Sequence, residues 1–192
     1  MDILGSIFNV VKTLFCLAQG VSCHRKTVVI IPKRCGKSTL ASKFTSINPK
    51  QILCDIESLI SMSLSTEQKE TLQTLTRSQE WSSIRLFLLP LYRDFVKDLT
   101  MKFKHNNIIL FTSSPDVSTY LNITSKLVYV PSTPFFEEIL AREAPSDQVL
   151  RKTMTQSRNE IVATYGDKCR VFSSYADLER MITEDCALSA KI

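Results

Sequence analysis

The stretch "RKTVVIIPKRCGKSTLASKF", Arg25 to Phe44, decides how the chain is read. Thr27-Val-Val-Ile-Ile31 is a short apolar run, the pattern of a strand buried on both faces. Gly36 to Phe44 begins a helix, and Asn48-Pro49 ends it. Strand, tight loop and helix therefore follow one another without a break. The loop closes on Gly36-Lys37-Ser38-Thr39, the last part of the phosphate-loop pattern GxxxxGK[ST]. That pattern starts here at Ile31 instead of glycine, and Pro32 removes a backbone donor. With only 4 Gly in 192 residues, a glycine beside this Lys-Ser pair is unlike a chance of composition.

The physical logic of such a loop is specific. A helix N-terminus presents unpaired N–H groups and a partial positive charge, which together hold phosphate. Lys37 adds a point charge for the outer phosphates, and the Ser38 hydroxyl suits Mg²⁺. Lys33, Arg34, Cys35, Gly36, Lys37, Ser38 and Thr39 are the candidate nucleotide-binding residues. Lys33 and Arg34 bring further positive charge to the loop.

Outward from the loop the pattern repeats. Gln51-Ile-Leu-Cys54 is a second strand, ending at Asp55, with a helix over Glu57–Ser63. Ser65 and Gln68 have capping-box spacing and open a helix to Arg77. A long helical pattern runs from Gln79 to Lys104, and Pro90 predicts a kink in it. Ile108–Phe111 is a third strand and Lys126–Val130 a fourth. Thr133 as N-cap and Pro134 at the first helical position predict the next helix. A polar helix follows to Tyr165, where Gly166 stops it. Cys169–Phe172 is a fifth strand, and Ser174, with Asp177 three residues on, caps a last helix. Five strands alternate with helices and no hairpin signal joins neighbours. The expected fold is therefore α/β: a three-layer α/β/α domain with a five-stranded parallel sheet, plus an extra N-terminal amphipathic helix.

Composition sets the bounds. The chain is 44% hydrophobic and 22% charged, which excludes a disordered chain. A net charge of +5 suits an anionic ligand, yet the charges are scattered and no aromatic-interleaved basic motif for nucleic acid is present. The six cysteines form no CxxC pair and there are two His, a poor match to zinc spacing. Cys54 and Cys169 read as small buried hydrophobes, and free thiols point to a reducing, cytoplasmic compartment. Residues 1–23 read as the amphipathic helix, 24–186 as one domain and 187–192 as a frayed tail. Asp2 and Lys12 interrupt the apolar run of the first segment. It therefore suits a partner protein or a membrane surface through residues 1–20 better than a signal or a span.

In its motifs and their order, Arg25 to Glu184 resembles the small phosphate-loop kinases of the nucleoside monophosphate kinase and shikimate kinase type. The loop departs from the family pattern at Ile31. The resemblance implies ATP, or another NTP, with Mg²⁺, and a small-molecule acceptor. In shikimate-type kinases an Asp-x-Asp follows the second strand, one carboxylate near the metal and one near the acceptor. Asp55 and Glu57 match it in spacing, with Glu for the second Asp. The resemblance thus makes Asp55 a catalytic and, with Ser38, a metal-binding candidate. Capping of the following helix is the other reading of Asp55, and the favoured one for Glu57.

The third strand ends in Thr112-Ser113-Ser114, without the acidic residue that motor ATPases and helicases place there. Asp116 reads either as a late acidic residue or as a helix cap. After the fourth strand the family carries a helix–lid–helix with phosphate-binding arginines. Arg142, Arg151, Lys152 and Arg158 fit that placement, with Arg142 and Arg151 foremost as catalytic candidates beside Lys37. Ser173, Ser174 and Tyr175 occupy the place that passes the adenine. The acceptor is expected between Glu57 and His105, where Arg85 and Arg93 would share a helix face. Three functions stay open: a kinase-like phosphotransferase, an NTPase or NTP switch acting with nucleic acid, and a non-catalytic domain used for assembly.

Overall fold

In the computed structural model the described residues are 25–45, 51–78, 80–104 and 106–188. The N-terminal segment of residues 1–23, with its expected helix, lies outside them. Among the described residues no helix is long and apolar enough to cross a membrane.

The strands are β1 (Lys26–Ile30), β2 (Gln51–Asp55), β3 (Asn107–Thr112), β4 (Ser125–Pro131) and β5 (Arg170–Phe172). They form one parallel sheet in the order β2-β3-β1-β4-β5. The helices are α1 (Lys37–Thr45), α2 (Ile56–Ser63), α3 (Thr66–Arg77), α4 (Trp81–Lys102), α5 (Val117–Tyr120), α6 (Thr133–Glu143), α7 (Gln148–Tyr165) and α8 (Tyr175–Leu188). This is the three-layer α/β/α architecture with a five-stranded parallel sheet that the alternation predicts.

The period of two along β1 explains both layers. Val29 and Ile31 point to one face, where they meet Leu40, Phe136, Ile139, Leu178 and Ile182 of α1, α6 and α8. Val28 and Ile30 point to the other, against Ile56, Ile60, Tyr92 and Val96 of α2 and α4. Val28, Val29, Ile30 and Ile31 are all fully buried, as a central strand covered on both sides requires. The Ile31 N–H donates to the Thr112 carbonyl at 2.9 Å, so the β1–β3 ladder extends one residue past the strand.

Local signals hold with small shifts. The Ser65–Gln68 capping box is complete in both directions. Ser174 Oγ accepts from the Asp177 N–H, as its capping role predicts. Helix α6 starts one residue earlier than expected. Ser132, not Thr133, is its N-cap, because the Phe136 N–H already bonds to the Ser132 carbonyl at 2.8 Å. Helix α4 runs from Trp81 to Lys102 with Pro90 inside it. The last helix continues to Leu188, two residues past the boundary drawn at 186.

Candidate functional site

Parallel topology carries the ends of β1, β2, β3 and β4 to one edge, where ligands of open α/β sheets bind. The loop after β1 lies there. Its backbone turns at two residues, Arg34 with φ 61° and Gly36 with φ 94°. Ile31 is not among the positive-φ residues and is wholly buried, so the missing first glycine costs the loop no strain. The demand for unusual backbone falls on Arg34 instead, at some energetic cost for a non-glycine residue. Gly36 is needed twice over. Beyond its φ, a Cβ there would stand 3.0 Å from Cε1 of Tyr175.

Lys33 anchors the loop through its N–H to Ser157 Oγ on α7, at 3.2 Å. The Cys35 side chain is buried beneath the loop, where its thiol donates to the Lys33 carbonyl. Burial pushes that thiol up to about 12, against the pull of Lys37, Arg158 and Arg142. Cys35 thus has only its backbone to offer a phosphate, and it is no nucleophile at neutral pH. Helix α1 starts at Lys37, and its first turn leaves the N–H groups of Lys37, Ser38 and Thr39 without helical acceptors.

Two carboxylates from the β2–α2 junction close on this turn. Ser38 Oγ donates to Asp55 Oδ2 at 2.5 Å and lies 3.3 Å from Ser58 Oγ. Asp55 Oδ1 also accepts the Ser58 N–H, so one side chain caps α2 and meets the loop. Capping of α2 therefore does not keep Asp55 away from the loop.

Glu57 reaches further in. Its Oε1 accepts the Ser113 N–H and hydroxyl, each at 2.6 Å, and the Thr112 hydroxyl at 3.1 Å. Its Oε2 lies 3.5 Å from Lys37 Nζ, and the lysine is only 6% exposed. Burial alone would push the Glu57 carboxyl up. Lys37, the two Ser113 donors and Lys33 outweigh it and hold the group below its ordinary value. Sequence reasoning favoured a local helix role for Glu57. The decisive contacts come from the end of β3, and only the Asp-x-Glu spacing pointed to them.

Beyond Glu57 and Ser113 opens a cavity of about 270 Å³ between α2, α3, α4 and α7. Its wall is mostly apolar, with Ile60, Leu64, Leu88 and the buried Tyr92. Burial first, then the Glu57 and Asp55 carboxylates, push the Tyr92 hydroxyl up, so it stays a hydrogen-bond donor. Asp116 makes no capping bond. It pairs with Arg85 at 2.9 Å. Arg93 lies on the exposed side of α4 beside Asp94, so the two arginines do not converge on the cavity.

On the other flank, the arginines of α6 and α7 go separate ways. Arg142 lies over the Tyr175 ring, donates to the Tyr175 hydroxyl at 2.6 Å and bonds Glu143. With Tyr175 packed on Gly36, this brings Arg142 beside the loop. Arg158 donates to the Pro131 carbonyl and Thr133 and stacks on Phe136. Its charge, like that of Arg142, is felt at Cys35. Arg151 pairs with Glu137 at 3.1 Å, and among the described residues no hydrogen bond or ion pair joins it to the loop. Lys152 lies along a shallow groove on α7.

No protein-family model matches the chain, and no curated protein does. Solved structures do resemble it. One is a thymidylate kinase from Candida albicans, 15% identical, with a TM-score of 0.43 over 87% of this chain and 92% of that one. Another is a deoxyadenosine kinase from M. mycoides, 13% identical, with a TM-score of 0.45 over 84% of this chain and 98% of that one. At this level the likeness concerns the fold and assigns no substrate.

Proposed function

We propose that the protein is an ATP- and Mg²⁺-dependent phosphotransferase that moves a phosphoryl group to a small hydroxyl-bearing acceptor. One observation carries the reading: Lys37, Ser38, Asp55 and Glu57 meet at one sheet edge, and a small-molecule cavity opens immediately beyond Glu57. A cavity beside the loop supports transfer to an acceptor over simple hydrolysis.

The loop N–H groups and the first turn of α1 hold the phosphates. Lys37 exchanges Glu57 for the outer phosphates and neutralises charge on the transferring group. Ser38 and Asp55 supply a hydroxyl and a carboxylate oxygen side by side. These hard donors fit Mg²⁺, which is commonly held by one or two carboxylates together with substrate phosphates. When bound, the ion neutralises charge on the phosphate oxygens. Glu57, ionised and released by Lys37, faces the cavity and accepts the acceptor's proton. The acceptor oxygen bonds to the γ-phosphorus as the bond to the bridging oxygen breaks, leaving ADP. Arg142 stands beside the loop, where an Arg fork can reach the nucleotide.

The test is transfer of label from γ-labelled ATP to a pool of nucleosides, nucleotides and small hydroxy acids, with and without Mg²⁺. Acceptor-dependent turnover that Lys37→Ala removes is the expected result. ATP hydrolysis that needs RNA or DNA and ignores every acceptor would overturn the reading, as would failure to bind ATP.

A further inference from the structure

The cavity beyond Glu57 has its own charge balance. Two cations reach its wall, Lys33 and Arg85, and two carboxylates, Glu57 and Glu160. Arg85 is engaged twice, 2.9 Å from Asp116 and 3.8 Å from Glu160. Lys33 belongs to the phosphate loop, and its charge acts on Glu57. The other arginines of this region, Arg77 and Arg93, are exposed and do not line the cavity. Glu57 is thus met by Lys37 and Lys33, and Arg85 by Asp116 and Glu160, so each of these charges already faces an opposite one.

Phosphate esters are recognised by unopposed cations, above all by the planar Arg fork that bonds two phosphate oxygens at once. A phosphate brought to Arg85 would have to displace both of its carboxylates and would then sit beside them, like charge on like charge. The rest of the wall favours an uncharged guest. Ile60, Leu64, Leu72 and Leu88 supply apolar surface for a flat ring. Gln156 Nε2 donates to Glu160 Oε1 at 3.0 Å, setting an amide and a carboxylate side by side as a hydrogen-bonding edge. The cavity volume, about 270 Å³, suits a small molecule and not a polymer.

We infer that this cavity takes an uncharged nucleoside-like acceptor, a heteroaromatic ring bearing a hydroxylated group, and rejects its phosphate ester. The inference rests on the phosphotransferase reading for the direction of transfer. The specificity itself is a binding property and is measured apart from turnover.

The experiment is calorimetric titration of the full chain, in the presence of MgADP, with the common nucleosides and with each one's 5′-monophosphate. At least one nucleoside is expected to bind tighter than its own monophosphate by about 10-fold, the scale of one unfavourable charge contact. Monophosphates that bind equally or better would overturn the inference. So would binding of MgADP with no binding of either class, which leaves the nucleotide site standing. If MgADP itself fails to bind, the phosphotransferase reading falls. The same panel without nucleotide then decides the cavity, a nucleoside preference supporting the inference and its absence overturning it. A double variant, Asp116→Asn with Glu160→Gln, releases Arg85 and is expected to move the preference toward the monophosphate by about 10-fold. An unchanged preference in the folded variant would overturn the role given to the Arg85 pairing.

Discussion

Two regions flank the phosphate loop, and they are built on opposite plans. On the β2–β3 side, Lys37 from α1 and Thr112 and Ser113 from the end of β3 all lie within 3.5 Å of the Glu57 carboxylate. On the α6–α7 side, Arg142, Arg151 and Arg158 each end on a different neighbour. The first group stands at the end of β3 and in the first turns of α1 and α2, and is largely buried, so its geometry is set before any ligand arrives. The second stands on helix surfaces. Exposed ion pairs of that kind contribute only about 0–1 kcal/mol, so a ligand can redirect their arginines at little cost. A rigid floor and an adjustable flank suit the proposed phosphotransferase, which would hold phosphates in one place.

The largest effect expected on this contrast is at Lys37. Lys37→Ala should lower kcat/KM by roughly 10²–10³, the scale of losing one preorganised charge contact. It should also lower the urea midpoint, because Glu57 keeps its buried position without its cation. Adding Glu57→Gln should recover much of the stability and none of the turnover. A Lys37→Ala protein with full activity would break the distinction between the two sides.

Restoring the glycine of the loop pattern comes next. Ile31→Gly removes a fully buried side chain and should cost roughly 3–5 kcal/mol in urea unfolding, with no gain in ATP affinity by calorimetry. Tighter ATP binding in that variant would mean the loop does need a glycine at its start.

Acid should act on the rigid side first. The folded carboxyl of Glu57 lies below its ordinary value of 4.5. Its contribution to stability is therefore complete above that value and is lost as pH falls through the lower, folded one. Urea midpoints measured from pH 6 downward should fall less steeply in Glu57→Gln than in the parent. Identical acid profiles would show that Glu57 gains nothing from Lys37 and Ser113.

The smallest effects belong to the flank, where they sharpen the ranking. Arg142→Ala, beside the loop, should reduce turnover by up to about 10-fold, one lost Arg contact in a solvated place. Arg151→Ala should change stability by less than about 0.5 kcal/mol. If Arg151→Ala slows phosphoryl transfer more than Arg142→Ala, α7 rearranges on the nucleotide far more than its present contacts imply.

Much of this was legible along the chain. The apolar run at Thr27–Ile31, the Gly-Lys-Ser-Thr turn and the Ser65–Gln68 box are local patterns, and the periods of strand and helix show directly in them. Burial on both faces of β1 follows from a run with no polar alternation. Ile31 departs from the letters of the phosphate-loop pattern. The backbone there stays extended with the strand, so a side chain is welcome and adds to the core.

What the chain did not disclose are its long-range meetings. Glu57 is 56 residues from Ser113, and only the adjacency of β2 and β3 brings them together. Tyr175 reaches Gly36 because β5 ends beyond β4 and turns α8 back toward the loop. Arg85 could have faced a ligand or solvent, and the placing of Asp116 and Glu160 decides that it faces carboxylates. The strand–loop–helix unit and its repetition can be read along the chain, since they rest on neighbours a few residues apart. Tertiary structure alone decided which charges meet which. That depends on sheet order and on how helices pack over it, and no local spacing encodes either.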